Sequence, residues 1–315
     1  MIPLADIERA RETIRGAAIR TPLVRLDAPE AAAEIWLKLE CLQPIGSFKI
    51  RGAANAIRQA PPGETARGVV TASAGNMAQG VAWAARELGV PATIVAPEHA
   101  PATKLAAIER LGGSIVKVPY ERWWQAILES RYDGIEGFFV HPVQDAPVMA
   151  GNGTIGLELA EQLPEADAVI VPWGGGGLFT GIASALAALR PATRLYAVEP
   201  ETGAPVAAAL EDRTEPVDYR PSFVDGAGGK SLLPAMWERA RPLLAGSYVV
   251  SLDETAAAVR LLAERTRVIA EGAGALAVAA ALKHGAAGER IVCVVSGGNI
   301  DSSRLTEILA GRTPA

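Results

Sequence analysis

Residues 168–189, AVIVPWGGGGLFTGIASALAAL, carry no charged side chain over a length that could span a bilayer. Pro172 and four successive glycines, Gly174 to Gly177, interrupt the stretch. No unbroken helix can run through them, so the segment reads as a buried strand, a loop and a buried helix. The fold must therefore have a place for an apolar strand–loop–helix unit.

The rest of the chain supplies more such units. GVVTASA reads as a strand from residue 69, NMAQGVAWAAREL as a helix closed by Gly89, and PATIVAP as the next strand after Pro91. ATKLAAIERLG and SIVKVP repeat the pattern across a Gly112-Gly113 stop. After the glycine loop, RLYAVEP is a strand, LDETAAAVRLLAERT a helix and RIVCVVSG a final strand. Strict alternation implies an α/β fold of open parallel sheets with right-handed crossovers. Only 5% of the residues are aromatic while 50% are hydrophobic, so packing must rely on Ala, Leu and Val. The Pro/Gly-containing link QAPPGETARG at 59–68 and the irregular EGFFVHPVQDAPVMAGNG at 136–153 bracket one run of units. We expect a large domain from residues 1–60 and 146–315, a small inserted α/β domain at 61–145, and a site in the cleft between them.

A net charge of −5 without a long basic run argues against nucleic acid or an anionic membrane as partner. Cys41 and Cys293 are the only cysteines, with no CxxC pair and no companion His at ligand spacing, which speaks against zinc, iron–sulfur and a disulfide scaffold. A reducing cytoplasm fits them best. The amino terminus, MIPLADIERARETIR, lacks the apolar core of a signal peptide. His99 and His141, without partners at ligand spacing, read as surface or loop-packing residues.

Glycines between an apolar strand and an apolar helix expose backbone N–H groups at a helix amino terminus, a cradle suited to phosphate. A flexible, closely packed turn is the alternative reading. The dinucleotide pattern G-x-G-x-x-G fails, because its sixth position falls on Phe179 or Thr180. A single phosphate on a compact cofactor fits better than a pyrophosphate. Elsewhere, CLQPIGSFKIRGAANAIRQA places Lys49 among apolar neighbours. Wound as a helix at about 100° per residue, residues 48–58 put Lys49, Ala53, Ala56 and Ala60 on an inward stripe and Arg51, Asn55 and Arg58 on the opposite, solvated one. Lys49 alone reads as a snorkelling side chain or as a working amine, since a desolvated lysine can lose its proton and attack a carbonyl.

A reactive lysine and a phosphate cradle together are the equipment for pyridoxal 5'-phosphate, whose aldehyde condenses with a lysine amine. GSFKIRGA, SAGNMAQG, GNGTIGLE, GGGGL, AVEP and VVSGGNID, in this order over nearly the whole chain, resemble the signatures of the fold-type II pyridoxal-phosphate enzymes of the serine/threonine dehydratase and serine racemase group. The resemblance implies a tryptophan synthase β-like fold with the cofactor in the interdomain cleft, and a homodimer. It implies that Lys49 joins the cofactor and removes the α proton, that Phe48 packs on the ring, that Asn76 binds the phenolic oxygen and that Gly174 to Gly177 hold the phosphate. Ser296 would face the ring nitrogen, and Ser73, Ala74, Gly75, Asn76 and Met77 would grip the substrate carboxylate. The implied reaction is β-elimination from a β-hydroxy amino acid such as L-threonine or L-serine to a 2-oxo acid and ammonia. Racemisation, β-replacement, other lyase substrates such as phenylserine or hydroxyaspartate, and non-catalytic amino-acid binding on the same fold are the alternatives.

The chain departs from the family pattern at three points. Ala74 stands where racemases carry a second serine as acid/base, which favours elimination. Met77 replaces a common histidine, which disfavours acidic substrates. Glu199 and Gly203 match two ligands of a family cation site, but Pro205 occupies the aspartate position, leaving a weaker divalent site, a monovalent ion or none. Because the chain ends at Ala315, soon after SSRLTEILAG, no carboxy-terminal regulatory domain is expected.

Overall fold

The β-branched runs pair into two sheets in a computed structural model that describes residues 1–213 and 215–314; Thr214 and Ala315 lie outside the described residues. The larger sheet has the order β1 (Leu23–Arg25), β2 (Glu34–Lys38), β10 (Arg290–Val294), β7 (Ala168–Pro172), β8 (Arg194–Pro200), β9 (Gly246–Val250). β1 runs antiparallel to β2 and the remaining pairings are parallel. The smaller sheet is all parallel, in the order β5 (Gly113–Val118), β4 (Ala92–Pro97), β3 (Val69–Ala72), β6 (Phe138–Phe139). Its strands thus come from one continuous segment, flanked on both sides in sequence by strands of the larger sheet.

The helices are α1 (Leu4–Thr13), α2 (Lys49–Arg58), α3 (Asn76–Leu88), α4 (Ala102–Arg110), α5 (Tyr120–Glu129), α6 (Ala146–Gln162), α7 (Gly177–Leu189), α8 (Pro205–Leu210), α9 (Pro234–Ala240), α10 (Leu252–Leu261), α11 (Gly272–His284) and α12 (Ser302–Leu309). Their ends follow local chemistry. Gly89, at φ 69°, closes α3 in the left-handed conformation that glycine adopts without strain. Ser251 and Glu254 form a reciprocal capping box at the start of α10. None of the helices among the described residues is long and apolar enough to cross a membrane.

Two sequence expectations are corrected here. Residues 136–153 are not irregular throughout: they contain β6 and the first half of α6. α6 is buried from Val148 to Ala160 and packs against α1, α2 and α7, so no single apolar stripe marks it as a helix. Glycine lets these backbones touch. A Cβ on Gly151 would lie 2.4 Å from the Arg51 carbonyl oxygen, and one on Gly181 would lie 2.4 Å from that of Met149.

The second correction concerns the stripe opposite Lys49. Arg51 is 1% exposed, Asn55 is fully buried and Arg58 is half-buried, because α2 lies between α3 and α6 and has no solvated face. Arg51 donates to Glu40 through Nε (2.8 Å) and Nη2 (2.9 Å), and to Glu158 through Nη1 (2.7 Å) and Nη2 (3.0 Å). Lys38 also pairs with Glu158, so the buried cluster holds two cations and two carboxylates. On its other side, α2 shares a buried apolar cluster with the smaller sheet and α3, in which Ala53, Ala54 and Ile57 pack with Met77, Val81 and Ile94.

Candidate active site

Ligands in open parallel sheets bind beyond the carboxyl ends of the strands, and three such ends converge here. β3 runs into Ser73 to Met77, β7 into the glycine run, and β10 into Ser296 to Asn299. A cavity of about 450 Å³ lies among them, lined by Phe48, Lys49, all of residues 73–77, Ser296 and Asn299.

Lys49 opens α2 at the cavity wall. Its Nζ donates to the Pro142 carbonyl (2.9 Å) and lies 5.2 Å from the centre of the Phe48 ring. Burial alone pushes its pKa down to about 8, since no carboxylate compensates its charge. Phe48 is half-buried, and its N–H donates to the Ser296 carbonyl (3.0 Å), which ties the lysine's approach to the end of β10. Ser296 is 4% exposed and lines the cavity.

The loop after β3 ends at the amino terminus of α3, whose unpaired N–H groups and dipole favour an anion. Gly75 N–H is already engaged by the Ser73 hydroxyl (3.3 Å). Asn76 is held at both ends: its Nδ2 donates to Glu271 (2.8 Å), and its Oδ1 accepts from Asn299 Nδ2 (2.7 Å). Met77 is buried against the cavity floor.

The glycine run stands one layer behind the cavity lining. A Cβ on Gly174 would lie 3.1 Å from the carbonyl oxygen of Gly226, which does line the cavity. The N–H groups of Gly174 to Gly177 have no protein acceptor among the described residues. Side chains are excluded from the run by its packing: a Cβ on Gly175 would meet Val143 Cγ2 at 2.5 Å, and one on Gly176, at φ +91°, would meet the buried Trp173 ring at 2.8 Å. An anion can use these donors where a side chain cannot enter.

Several cavity residues escape the sequence reading. Glu271 is buried, and burial, followed by the charge of Asp225, pushes its carboxyl up to about 7. Its position ahead of α11 carries no signal, because α11 is an alanine-rich helix buried from Gly272 to Ala281. Asn299 does lie within VVSGGNID. Lys104 and Asp225 form an ion pair across the cavity, joining α4 to a loop after β8. Tyr120 and Trp123 of α5 complete the wall, and the exposed His99 lies at its rim.

Glu199 lies elsewhere, at the end of β8, and its carboxylate accepts from the N–H groups of Val206 (2.9 Å) and Ala207 (3.0 Å) at the start of α8. Burial pushes its pKa up to about 7. The Gly203 carbonyl accepts from Gly229 (3.2 Å). Among the described residues no group of three or more His, Cys, Asp or Glu side chains is arranged to hold a metal ion.

An amine, a hydroxyl and an amide around one cavity, with a row of unpaired N–H groups one layer behind its lining, match the functional groups of a phosphorylated pyridine aldehyde. Residues 14–297 match the family described as "Pyridoxal-phosphate dependent enzyme". The L-threonine ammonia-lyase of Thermotoga maritima is 40% identical over 98% of this chain and 78% of its own. The serine racemase of Bos taurus is 37% identical over 97% of this chain and 95% of its own. The processed form of threonine deaminase isoform 2 from Solanum lycopersicum superposes with a TM-score of 0.88 at 33% identity, covering 98% of this chain and 92% of that one. The chain belongs to the pyridoxal-phosphate-dependent enzymes, with the fold-type II architecture that the sequence motifs anticipate.

Proposed function

We propose that the protein is an ammonia-lyase acting on L-threonine, L-serine or a related β-hydroxy amino acid, releasing a 2-oxo acid and ammonia. The observation that carries this reading is the Lys49 amine, desolvated and facing the cavity without a carboxylate partner. With a pKa of about 8 it is about one-quarter neutral at pH 7.5, against about one-thousandth for an ordinary lysine.

When bound, pyridoxal phosphate withdraws electrons from the substrate's α carbon. Lys49 would hold the cofactor through Nζ, and the same amine is placed to take the α proton. Phe48 would cover the ring, Asn76 would bind the phenolic oxygen, and the N–H groups of Gly174 to Gly177 would receive the phosphate. Ser296 would meet the ring nitrogen with a neutral hydroxyl, which would leave the ring a weaker electron sink and favour rapid elimination. The backbone at Ser73, Ala74, Gly75, Asn76 and Met77 receives the substrate carboxylate at the α3 amino terminus. Ala74 offers a methyl group where a proton would have to be delivered for racemisation.

The two-domain division at 1–60 with 146–315 and at 61–145, a homodimer, and a cytoplasmic location accompany this reading. We assign Glu199 to holding the start of α8, since both its oxygens already accept backbone N–H groups there. In the test, Lys49→Ala loses both the visible cofactor absorbance and oxo-acid release. The purified protein, incubated with a panel of β-hydroxy amino acids, yields oxo acid from threonine or serine. Formation of D-serine without oxo acid refutes the lyase reading.

A further inference from the structure

His141 is 2% exposed and has no place in the chemistry above. It sits between β6 and α6 at the start of a tight turn. Its Nδ1 accepts two backbone N–H bonds, from Val143 (2.9 Å) and Gln144 (2.8 Å). Its own backbone N–H donates to the Asp145 carboxylate (2.7 Å). A nitrogen that accepts two hydrogen bonds carries no proton, so the ring's hydrogen must be on Nε2. Nε2 is buried and makes no hydrogen bond of regular geometry among the described residues, although the Ile127 carbonyl acts on the ring as an acceptor.

The residues inside this turn touch the two halves of the site. The Pro142 carbonyl accepts from Lys49 Nζ (2.9 Å). Val143 lies over the glycine run: its Cγ2 is 2.5 Å from where a Cβ on Gly175 would be, and its carbonyl oxygen 2.8 Å from where one on Gly177 would be. We propose that His141 is a positioning residue, a neutral imidazole that closes the 141–145 turn through Nδ1 and so holds the Lys49 amine and the phosphate-binding glycines in register. Protonating Nδ1 would turn an acceptor toward two donors and open the turn. Burial, and then the charge of Lys49, push the ring's pKa down to about 4, while the Ile127 carbonyl acts the other way. Asp145 is the other titratable group against it, and burial raises its pKa. The imidazole is therefore neutral wherever Lys49 works.

The proposal rests on the assignment of Lys49 and the glycines to the cofactor, and its test separates the two. The chain has three histidines, so selective 15N labelling resolves His141 by comparison with a His141→Asn sample. The wild-type spectrum is expected to show Nδ1 unprotonated and no titration between about pH 5 and 9. A proton on Nδ1, or titration near the ordinary histidine value, overturns the proposal whether or not any variant folds. Second, the cofactor-free wild type, His141→Asn and His141→Leu are titrated with pyridoxal phosphate. Asparagine keeps an acceptor near the Nδ1 position, whereas leucine keeps only the volume. The leucine variant should bind at least about tenfold more weakly and the asparagine variant within about threefold of wild type. The pH midpoint for acylation of Lys49, which burial lowers in the wild type, should shift in the leucine variant, which no longer holds the Pro142 carbonyl in place, and return in the asparagine variant. Equal affinities and midpoints in both variants overturn the proposal. A wild type that takes up no pyridoxal phosphate refutes the cofactor assignment instead, and leaves the histidine's tautomer to be judged by the first experiment.

Discussion

Replacing Arg51 by methionine keeps most of the side chain's volume and removes all of the guanidinium's donors from the buried cluster at the back of α2. Glu40, fully buried, loses two bonds of 2.8 and 2.9 Å and keeps only the Thr21 hydroxyl (2.6 Å) and the Gln43 amide (3.1 Å). Glu158 retains Lys38. Removing one partner from a buried ion pair costs about 3–5 kcal/mol, a large share of the roughly 5–15 kcal/mol that holds a typical domain folded. The pH dependence identifies the cause. In the wild type, burial raises the Glu40 pKa but Arg51, with Lys38 and the Thr21 hydroxyl, outweighs it, so the net shift is downward. Its stabilising contribution is present above the ordinary carboxylate range and is lost as pH falls through the depressed value. Without Arg51 the burial effect wins and the folded pKa rises, so the carboxyl is tolerated in acid and becomes costly as pH increases. The stability gap between wild type and variant should therefore be widest near pH 8 and narrow toward pH 5. Urea unfolding at both pH values, with equal m-values, measures it. A gap below about 1 kcal/mol at pH 8, or one that widens in acid, refutes the reasoning.

Three further substitutions probe other parts of the molecule. Gly176→Ala forces a Cβ into a left-handed position and against the Trp173 ring, so it should destabilise by at least about 1–2 kcal/mol and weaken pyridoxal-phosphate binding; unchanged affinity by fluorescence titration would count against the cradle. Glu271→Gln keeps an oxygen for the Asn76 amide but removes a carboxyl whose raised pKa, about 7, makes its ionised form costly. In the cofactor-free protein it should raise stability by up to about 3 kcal/mol at pH 8.5, with the gain vanishing by about pH 5; a gain that is the same at both pH values would show that charge is not its source. Gly181→Ala presses a methyl group on the Met149 carbonyl at 2.4 Å, so thermal unfolding should register a loss of about 1–3 kcal/mol while cofactor affinity stays unchanged.

How legible each element is in the sequence follows from its surroundings. α3 meets its predicted bounds because glycine closes its carboxyl end at Gly89 and its last turn, Arg86 to Leu88, reaches solvent. β3, β4, β5, β7, β8 and β10 are short β-branched runs bounded by Gly or Pro, and each is recognised. α6 and α11 share the opposite problem: both are buried all round, so their alanines and glycines show no period against a polar background. The site divides along similar lines. Lys49, Asn76, Ser296 and the glycine run occur in short motifs with their own chemistry. Glu271, Lys104 and Asp225 reach the cavity through tertiary packing alone, and no local pattern marks them.

Lys49 and Arg51 show why helical phase could not separate a reactive cation from a structural one. They stand two residues apart on α2, and both are pushed toward neutrality by burial. The difference lies in what the rest of the chain brings to each. Arg51 receives carboxylates from residues 40 and 158, whose charge outweighs desolvation and raises its pKa. Lys49 receives a carbonyl from residue 142 and the face of an adjacent ring, which compensate so little that its pKa falls to about 8. Those carboxylates lie 11 and 107 residues from Arg51, beyond any window of local periodicity. A helix wound on its own predicts one inward and one solvated cation; packing α2 between α3 and α6 buries both faces, and the placement of two carboxylates decides which cation keeps its charge and which can act as a base.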